Sequence, residues 1–418
     1  MNEDEPLSYM SDAPTEILIY IFQFVRPVQL VKCRQVCMRW KLIIDNILRR
    51  DPLWREFCKQ DFKDLYKLAF YKCKSGLRWC DVYRTLSLWP RIREATETRD
   101  EFASASNSSD EVRDFQVLRD GIVGVHSRGA IIYYDLETME PFKTGNIHGN
   151  YLRYMENEST ILILGYNLNL FVIRKYVPES QGEANATFQS VKTFILRTHE
   201  VYFVTLSDAV YVCRLDEEEI NSVQLAQMNS GVMCIGYSTQ LNILTFQRDI
   251  YSLIGKECKL QCTLGPTTNL LHLLKKYNLL EHLDWRVYFQ WMYVLNHSIP
   301  QGPLRDIIII KTYGEAVFIG SNWGVFRIYY APYINDEFDI FNSEPIRQYN
   351  FMERCDCPVL SMCPIIQIDV VEGKDCHSIL IAMPKKIAVI TYSHDFYKSK
   401  SMPPYTDFSE VQILKIAD

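Results

Sequence analysis

The sequence has few histidines and few motifs typical of enzymes, and it has no long apolar run. Only 8 histidines occur among 418 residues, and the H-E-x-x-H, G-x-S-x-G, Walker A and G-x-G-x-x-G motifs are absent. No apolar stretch approaches the roughly 18 residues that cross a bilayer. No block of the chain is strongly basic, which argues against binding to nucleic-acid phosphates. We therefore predict a non-catalytic protein with no cofactor, no membrane segment and no nucleic-acid partner.

Cysteine usage and net charge suggest where the protein works. The 13 cysteines are scattered and odd in number, which fits reduced thiols better than a disulfide framework. The first 12 residues are acidic and lack the basic-then-apolar order of a signal peptide. With 45 basic and 51 acidic residues, the net charge is an ordinary −6. These features predict a cytoplasmic or nuclear protein.

Four cysteines and one histidine near the end of the chain are the best candidates for a metal site. They are Cys355, Cys357, Cys363, Cys376 and His377. Thiolate and imidazole groups suit zinc, but the C-x-x-C spacing of zinc fingers is absent. Free cysteine also packs well in strands as a small apolar residue. We predict no metal.

The stretch from Pro14 to Arg55 predicts three short helices. Pro14 suits the first helical position, Pro27 interrupts the first pattern, and Asp51 with Pro52 begins the third. The apolar residues at helical spacing are Ile17, Leu18, Ile21, Phe22 and Val25, then Leu30, Cys33, Cys37, Trp40 and Ile44. Three short helices cannot enclose this much apolar surface among themselves. They are either outer helices of a larger domain or a docking module for another protein.

This stretch resembles an F-box, the module that joins substrate receptors to ubiquitin ligases of the Skp–cullin–F-box type. The matching residues are Pro14, Glu16, Ile17, Leu18, Ile21, Phe22, Leu30, Arg34, Val36, Cys37, Trp40, Leu53, Trp54 and Arg55. Ala13 and Val25 depart from the family pattern, which favours leucine at both places. The resemblance implies a Skp-family adaptor as partner and, through it, a cullin.

Twelve of these residues are the candidates for adaptor binding: Pro14, Glu16, Ile17, Leu18, Ile21, Phe22, Leu30, Val36, Cys37, Trp40, Leu53 and Trp54. Helical spacing serves a partner surface and an internal core equally well. The sequence therefore leaves open which of these side chains contacts the adaptor and which fills the module's own core.

Beyond residue 115 the chain predicts six β-hairpins, each made of two apolar runs around a tight turn. They are Ile122–Val125 with Ala130–Tyr134, Ile161–Leu164 with Leu170–Ile173, Val201–Thr205 with Ala209–Cys213, Leu241–Thr245 with Ile250–Leu253, Ala316–Ile319 with Val325–Tyr329, and Ile379–Ala382 with Ile387–Thr391. The first four recur about every 40 residues, the period of a four-stranded propeller blade. Ser127 to Thr138 also resembles the end of a WD-repeat, with Tyr134 in the tryptophan position.

A leucine-rich and aromatic segment, residues 268–298, interrupts this regular spacing. Its first half predicts a helix, and its second half fits either a helix or a strand of a seventh blade. An inserted helix that packs on the blades is one interpretation. An insertion that binds a partner or substrate is the other.

The predicted fold class is an α+β multidomain protein: a small all-α module with a helical spacer, then an all-β propeller of six or seven blades. The predicted boundaries are 10–57 for the F-box, 58–92 for the spacer, 93–114 for a flexible, acidic and Ser-rich linker, and 115–418 for a substrate-binding propeller.

The resemblance implies the substrate-recognition subunit of a Skp–cullin–F-box ubiquitin ligase with an unknown protein substrate. The alternatives are a scaffold that directs no degradation and a propeller enzyme or metalloprotein. Arginines available for a phosphorylated substrate are Arg153, Arg174, Arg197, Arg214 and Arg248.

Overall fold

The structure is a computed structural model, and it describes residues 13–63, 65–106, 110–149, 151–175, 184–255, 257–265, 270–294, 306–331, 343–351 and 363–394. The chain divides into two compact units. The helical unit comprises Met1–Thr98, Glu372–His377 and Tyr392–Asp418, and the sheet unit comprises Arg99–Val371 and Ser378–Thr391.

In its described residues, the helical unit contains six α-helices and one 3-10 helix, Trp89–Arg91. The α-helices are α1 (Thr15–Phe22), α2 (Pro27–Cys33), α3 (Met38–Leu48), α4 (Asp51–Asp61), α5 (Tyr66–Tyr71) and α6 (Trp79–Ser87). Proline lies in the first turn of α2 and of α4, where its missing N–H group costs no hydrogen bond. The sequence predicted one helix across Leu30 and Ile44, and this was wrong: α2 and α3 are separate, with Cys37 extended between them.

Helices α1 to α6 share one apolar core. Its centre holds Leu18, Phe22, Leu30, Ile44, Ile47, Trp54, Phe57 and Tyr83. Trp54 donates its indole N–H to the Leu48 carbonyl at 2.7 Å, and the Tyr83 hydroxyl donates to the Asp61 carboxylate at 2.8 Å. Because both polar groups are satisfied, these large aromatic side chains can be buried at little cost.

A short hairpin tip, Glu372–His377, belongs to the helical unit. The Trp89 indole N–H donates to the Glu372 carboxylate at 2.9 Å, and His377 Nδ1 lies 2.7 Å from the other oxygen of that carboxylate. Arg84 forms an ion pair with Asp375. A carboxylate with no exposed surface needs such partners, since an unpaired buried charge is strongly destabilising.

The strands that the structure describes form six four-stranded antiparallel sheets. The strands are β1 (Thr96–Phe102), β2 (Asp114–Val117), β3 (Ile122–Ser127), β4 (Ala130–Asp135), β5 (Pro141–His148), β6 (Arg153–Glu156), β7 (Thr160–Leu164), β8 (Leu170–Arg174), β9 (Ala186–Phe188), β10 (Val191–Leu196), β11 (Glu200–Thr205), β12 (Ala209–Arg214), β13 (Ser222–Gln227), β14 (Val232–Tyr237), β15 (Leu241–Thr245), β16 (Asp249–Ile254), β17 (Glu257–Thr263), β18 (Ile307–Tyr313), β19 (Ala316–Ser321), β20 (Val325–Tyr330), β21 (Arg347–Asn350), β22 (Gln367–Gly373), β23 (Cys376–Met383) and β24 (Lys386–Ser393).

The sheets follow one another as propeller-like blades. Five are consecutive meanders beginning at β2, β6, β10, β14 and β18, and the sixth has the order β1-β24-β23-β22. Side chains join the first strands of neighbouring blades. The Gln116 amide on β2 bonds to both backbone groups of Glu156 on β6, and the Gln367 amide on β22 bonds to both backbone groups of Phe115. The prediction of a helical module followed by propeller-like blades is confirmed.

All six predicted hairpins are confirmed, and each supplies the second and third strands of one blade. Six blades are present in the part of the chain that the structure describes. The prediction of a flexible linker over residues 93–114 is wrong for Thr96–Phe102. These residues form β1, which pairs with β24 as the outermost strand of the last blade. The other domain boundaries stay predictions.

The segment predicted as an insertion, 268–298, is helical where it is described. It forms α7 (Leu270–Lys276), a 3-10 helix (Leu280–His282) and α8 (Trp285–Val294), so a seventh blade is wrong for these residues. Its apolar side chains share a core with the fourth and fifth blades. Asn242 donates to the Tyr277 carbonyl, and Asn278 donates to the Tyr237 carbonyl. The insertion therefore packs on the blades, as the first interpretation predicted.

Candidate functional site

Four of the twelve predicted adaptor-binding residues lie in the core of the helical unit. Leu18 and Leu30 have no exposed surface, and Phe22 and Trp54 have almost none. Phe22 also packs edge-on against Trp40, with ring centroids 5.1 Å apart. We correct the prediction for these four residues: they hold the module together, because a buried side chain cannot contact a partner unless the helices separate.

The other eight predicted residues have exposed surface. Pro14, Glu16, Ile17, Val36 and Cys37 are exposed, and Ile21, Trp40 and Leu53 are half-buried. Of the large apolar residues among them, Ile17 and Val36 have more than half of their surface in solvent. Whether these eight contact an adaptor stays a prediction.

The structure adds four exposed residues that the sequence analysis did not name: Tyr20, Phe24, Met38 and Leu42. Together with Ile17 and Val36 they form what we call the apolar surface of the helical unit, whose members are 51–69 % exposed. Tyr20 and Phe24 contact each other, with ring centroids 5.1 Å apart. In α1, Leu18 and Phe22 face the core while Ile17 and Tyr20 face solvent, as helical periodicity requires, and Phe24 lies in the turn after the helix.

Polar contacts fix the helices that carry this surface. Arg34, at the end of α2, pairs with Asp45 of α3 at 2.6 Å, and Arg34 is itself buried. Arg39 of α3 donates to the Ala13 carbonyl at 2.6 Å, just before α1 begins. Burial raises the pKa of the Tyr83 hydroxyl, so this group stays a neutral donor to Asp61. The exposed apolar side chains are thus presented on helices joined by ion-pair and backbone contacts.

Four of the five arginines predicted to be available for a phosphorylated substrate contact other groups of the sheet unit. Arg174 donates to the carbonyls of Leu215 and Glu218, and Arg214 lies 3.8 Å from Glu217. Arg197 stacks over the Tyr237 ring at 3.6 Å. Arg153 on β6 donates to the Phe194 carbonyl at 3.3 Å, and Arg248 lies in a turn of the fourth blade. These contacts occupy part of the bonding capacity of four guanidinium groups.

The predicted metal candidates are only partly placed. Cys355 and Cys357 lie outside the described residues. Cys363 is buried, and His377 bonds to Glu372. Among the residues the structure describes, no group of three histidine, cysteine or acidic side chains could hold a metal ion.

A comparison with protein families matches residues 10–60 to the F-box-like family model. These residues form an F-box-like domain. The F-box-like domain spans α1 to α4 up to residue 60, and it therefore contains the whole apolar surface defined above. No curated protein matches the chain in sequence.

Comparison with solved structures finds several proteins of low sequence identity. The N-terminal domain of Nup159 is 10 % identical with a TM-score of 0.46, and the match covers 71 % of this chain and 94 % of that one. The Cps50 (Swd1) β-propeller domain of Myceliophthora thermophila is 9 % identical with a TM-score of 0.36, covering 71 % and 100 %. The designed protein Ika8 is 9 % identical with a TM-score of 0.41, covering 69 % and 98 %. The description of the blades therefore rests on the strand pairing itself.

No helix in the described ranges is both long enough and apolar enough to span a membrane.

Proposed function

We propose that this protein is the substrate-recognition subunit of a ubiquitin ligase of the Skp–cullin–F-box type. In this proposal the F-box-like domain binds a Skp-family adaptor and, through it, a cullin. The propeller binds a protein substrate that remains to be identified. Such a subunit works in the cytoplasm or nucleus.

The observation that carries the proposal is the apolar surface of the F-box-like domain. Six large apolar side chains between Ile17 and Leu42 are more than half exposed. Tyr20 and Phe24 contact each other, and exposed apolar groups that lie together in this way are typical of a protein interface. Tyrosine, the residue type of Tyr20, is among those that most often dominate binding energies, and phenylalanine, the type of Phe24, is enriched in interface cores.

The proposed mechanism needs no catalytic side chain on this chain. A substrate lysine held near a ubiquitin-charged enzyme reacts faster because its effective concentration rises. The subunit contributes two binding surfaces, one for the adaptor and one for the substrate. This role agrees with the absence of common catalytic motifs from the sequence.

The test is binding of the full chain to a purified Skp-family adaptor. We expect Tyr20→Asp combined with Phe24→Asp to weaken binding about a hundredfold or more, because each charge would be buried against the adaptor. The matched control is Val223→Asp combined with Leu260→Asp, since these residues are 57 % and 50 % exposed on outer strands of the propeller. Both variants should keep wild-type circular dichroism and thermal unfolding.

Undiminished adaptor binding by the folded Tyr20 and Phe24 variant would contradict the proposal. A second measurement separates a receptor from a scaffold. Proteins that copurify with the chain should persist longer after its depletion if it directs their degradation. Unchanged half-lives together with intact adaptor binding would favour the non-degradative scaffold.

A further inference from the structure

Acidic residues are absent from the part of the sequence that carries the apolar surface of the helical unit. This surface extends from Ile17 to Leu42. From Ile17 to Ile44 the sequence contains five Lys and Arg residues and no Asp or Glu. The charged residues of this segment are therefore all cations: Arg26, Lys32, Arg34, Arg39 and Lys41.

The fold compensates these cations to different degrees. Arg34 is buried and pairs with Asp45 at 2.6 Å, so its charge does not reach solvent. The Arg26 side chain is 71 % exposed, and it lies 3.7 Å from the Asp61 carboxylate. Lys32 is exposed and forms no ion pair with a residue that the structure describes. Arg26 and Lys32 therefore present positive charge to solvent.

Arg26 and Lys32 both lie close to exposed members of the apolar surface. Arg26 comes two residues after Phe24, directly before α2 begins. Lys32 lies in the last turn of α2, four residues before Val36. Two residues span at most about 7 Å and four residues at most about 14 Å. The apolar side chains and the cations thus belong to one surface.

The exposed charges of the whole helical unit are also mostly positive. In its described residues eleven Lys and Arg are exposed, against three acidic residues: Glu16, Glu56 and Glu94. Other carboxylates accept hydrogen bonds within the unit. Asp51 accepts from the Trp79 backbone N–H at 2.9 Å, and Asp61 accepts from the Tyr83 hydroxyl at 2.8 Å. Because the carboxylates are used internally while most cations face solvent, the unit attracts anionic partners.

The combination of apolar and cationic side chains favours one class of partner. The centre of a protein interface is apolar, its rim is polar, and the charges of the two partners are complementary. A matching partner therefore has apolar side chains surrounded by Asp and Glu. Nucleic acids fit less well, because their interfaces are more polar and would leave six large apolar side chains against sugars and phosphates. The observations favour an acidic protein.

We propose that the adaptor covers the apolar surface with a face that is apolar at its centre and acidic at its rim, and that its attraction to Arg26 and Lys32 accelerates association. The inference rests on the proposed function, because it gives the chemistry of the partner at the same surface. Electrostatic attraction of this kind raises association rate constants above the about 10⁵–10⁶ M⁻¹s⁻¹ of uncharged pairs. Dissociation depends mainly on the contacts at the centre.

The test is stopped-flow association of the full chain with a purified Skp-family adaptor over a range of salt concentrations. The full chain includes the four carboxylates of residues 1–12, which lie outside the described residues. Between about 25 mM and about 500 mM NaCl, the association rate constant should fall at least tenfold, because salt screens charges farther apart than the Debye length. The dissociation rate constant should change less than threefold.

Charge reversal locates the effect. Arg26→Glu combined with Lys32→Glu should slow association at low salt at least tenfold and make it less dependent on salt. The matched control is Arg214→Glu combined with Lys259→Glu, which changes the net charge equally at exposed positions of the sheet unit and should slow association less than threefold. Because Arg26 lies beside Asp61, Lys32→Glu alone is the second variant, and it should slow association at least threefold.

The other outcomes contradict the inference in distinguishable ways. Tight adaptor binding with an association rate that does not depend on salt would overturn the acidic rim and leave the proposed function standing. Equal slowing by the two double variants would show that net charge, and not the surface around Lys32, is responsible. Competition by a 20-nucleotide single-stranded RNA would make nucleic acid the partner of this surface. An adaptor that binds the wild type at no salt concentration would overturn the proposed function and this inference with it.

Discussion

The helical unit and the sheet unit differ in the distribution of their exposed apolar side chains along the chain. Among the described residues, the helical unit exposes six large ones, all between Ile17 and Leu42. The described residues of the sheet unit expose nine, which lie from Phe142 to Trp323 on several blades and on α8. The described blades pack against one another and so cover both faces of most sheets, whereas helices as short as α1 and α2 have too little core to cover themselves. A concentrated apolar segment therefore marks a surface that a second polypeptide completes.

The strongest test of this comparison is to replace one core residue and one surface residue of the helical unit and to compare the two variants. Trp54→Ala should lower the free energy of unfolding of that unit by about 3–5 kcal/mol, because it empties a buried site and leaves the Leu48 carbonyl without its donor. Met38→Ala should change this free energy by no more than about 0.5 kcal/mol, since Met38 is 69 % exposed. Denaturant unfolding followed by far-ultraviolet circular dichroism measures both.

Adaptor binding should be measured for the same two variants. Trp54→Ala should lose binding in proportion to the unfolded fraction, and a stabilising co-solvent should restore it. Met38→Ala should lose binding with no change in the unfolding curve. If Met38→Ala unfolded the unit as much as Trp54→Ala did, the division between core and surface in α3 and α4 would be wrong.

A smaller effect is expected where the insertion meets the fourth blade. A Cβ at Gly236 would lie 1.9 Å from the Asn278 carbonyl oxygen, so the backbone of the insertion must move to admit it. Gly236→Ala should destabilise the sheet unit by about 1–3 kcal/mol, the usual range for overpacking. Thermal unfolding of the full chain measures this effect.

Gly231→Ala is the matched control for Gly236→Ala, because its Cβ would meet only the edge of the Phe246 ring at 3.0 Å. A side chain can move more easily than a backbone carbonyl, so the control should cost less. Equal costs for the two variants would mean that the insertion does not pack closely on β14.

The blades were predictable from the sequence only in their middle strands. The second and third strands, such as Thr160–Leu164 and Leu170–Arg174, are buried and rich in β-branched residues, so they stand out as apolar runs. The outermost strands do not stand out as apolar runs, because one of their faces is in solvent. Thr96–Phe102 is mostly charged and exposed, and only backbone pairing with β24 makes it a strand. Pairing between distant segments leaves no local pattern, so β1 was mistaken for a linker.

The candidate site was predictable to the level of the domain but not of the side chain. The resemblance located the segment because its proline, tryptophan and arginine positions agree with the family. It could not separate Leu18 from Ile17, because adjacent residues of a short helix differ by only 100° in direction. Which of them is buried depends on where α3, α4 and α6 lie. Tyr20 and Phe24 were overlooked for the same reason: a family pattern marks both core and surface positions.

The smallest expected effect concerns the response of the sheet unit to acid. His282 has its Nδ1 atom buried without a hydrogen-bond partner, and burial, followed by the nearby charge of Arg153, lowers its pKa to about 4. Its pKa in the unfolded chain is near 6.5. Above pH 6.5 the neutral imidazole therefore makes its full contribution to the free energy of unfolding. This contribution is lost as the pH falls towards 4. Unfolding midpoints measured from pH 7 to pH 4 should fall less steeply for His282→Asn than for the wild type. Equal slopes would mean that His282 takes up its proton in the folded protein, so that its burial does not contribute to the acid limit of the sheet unit.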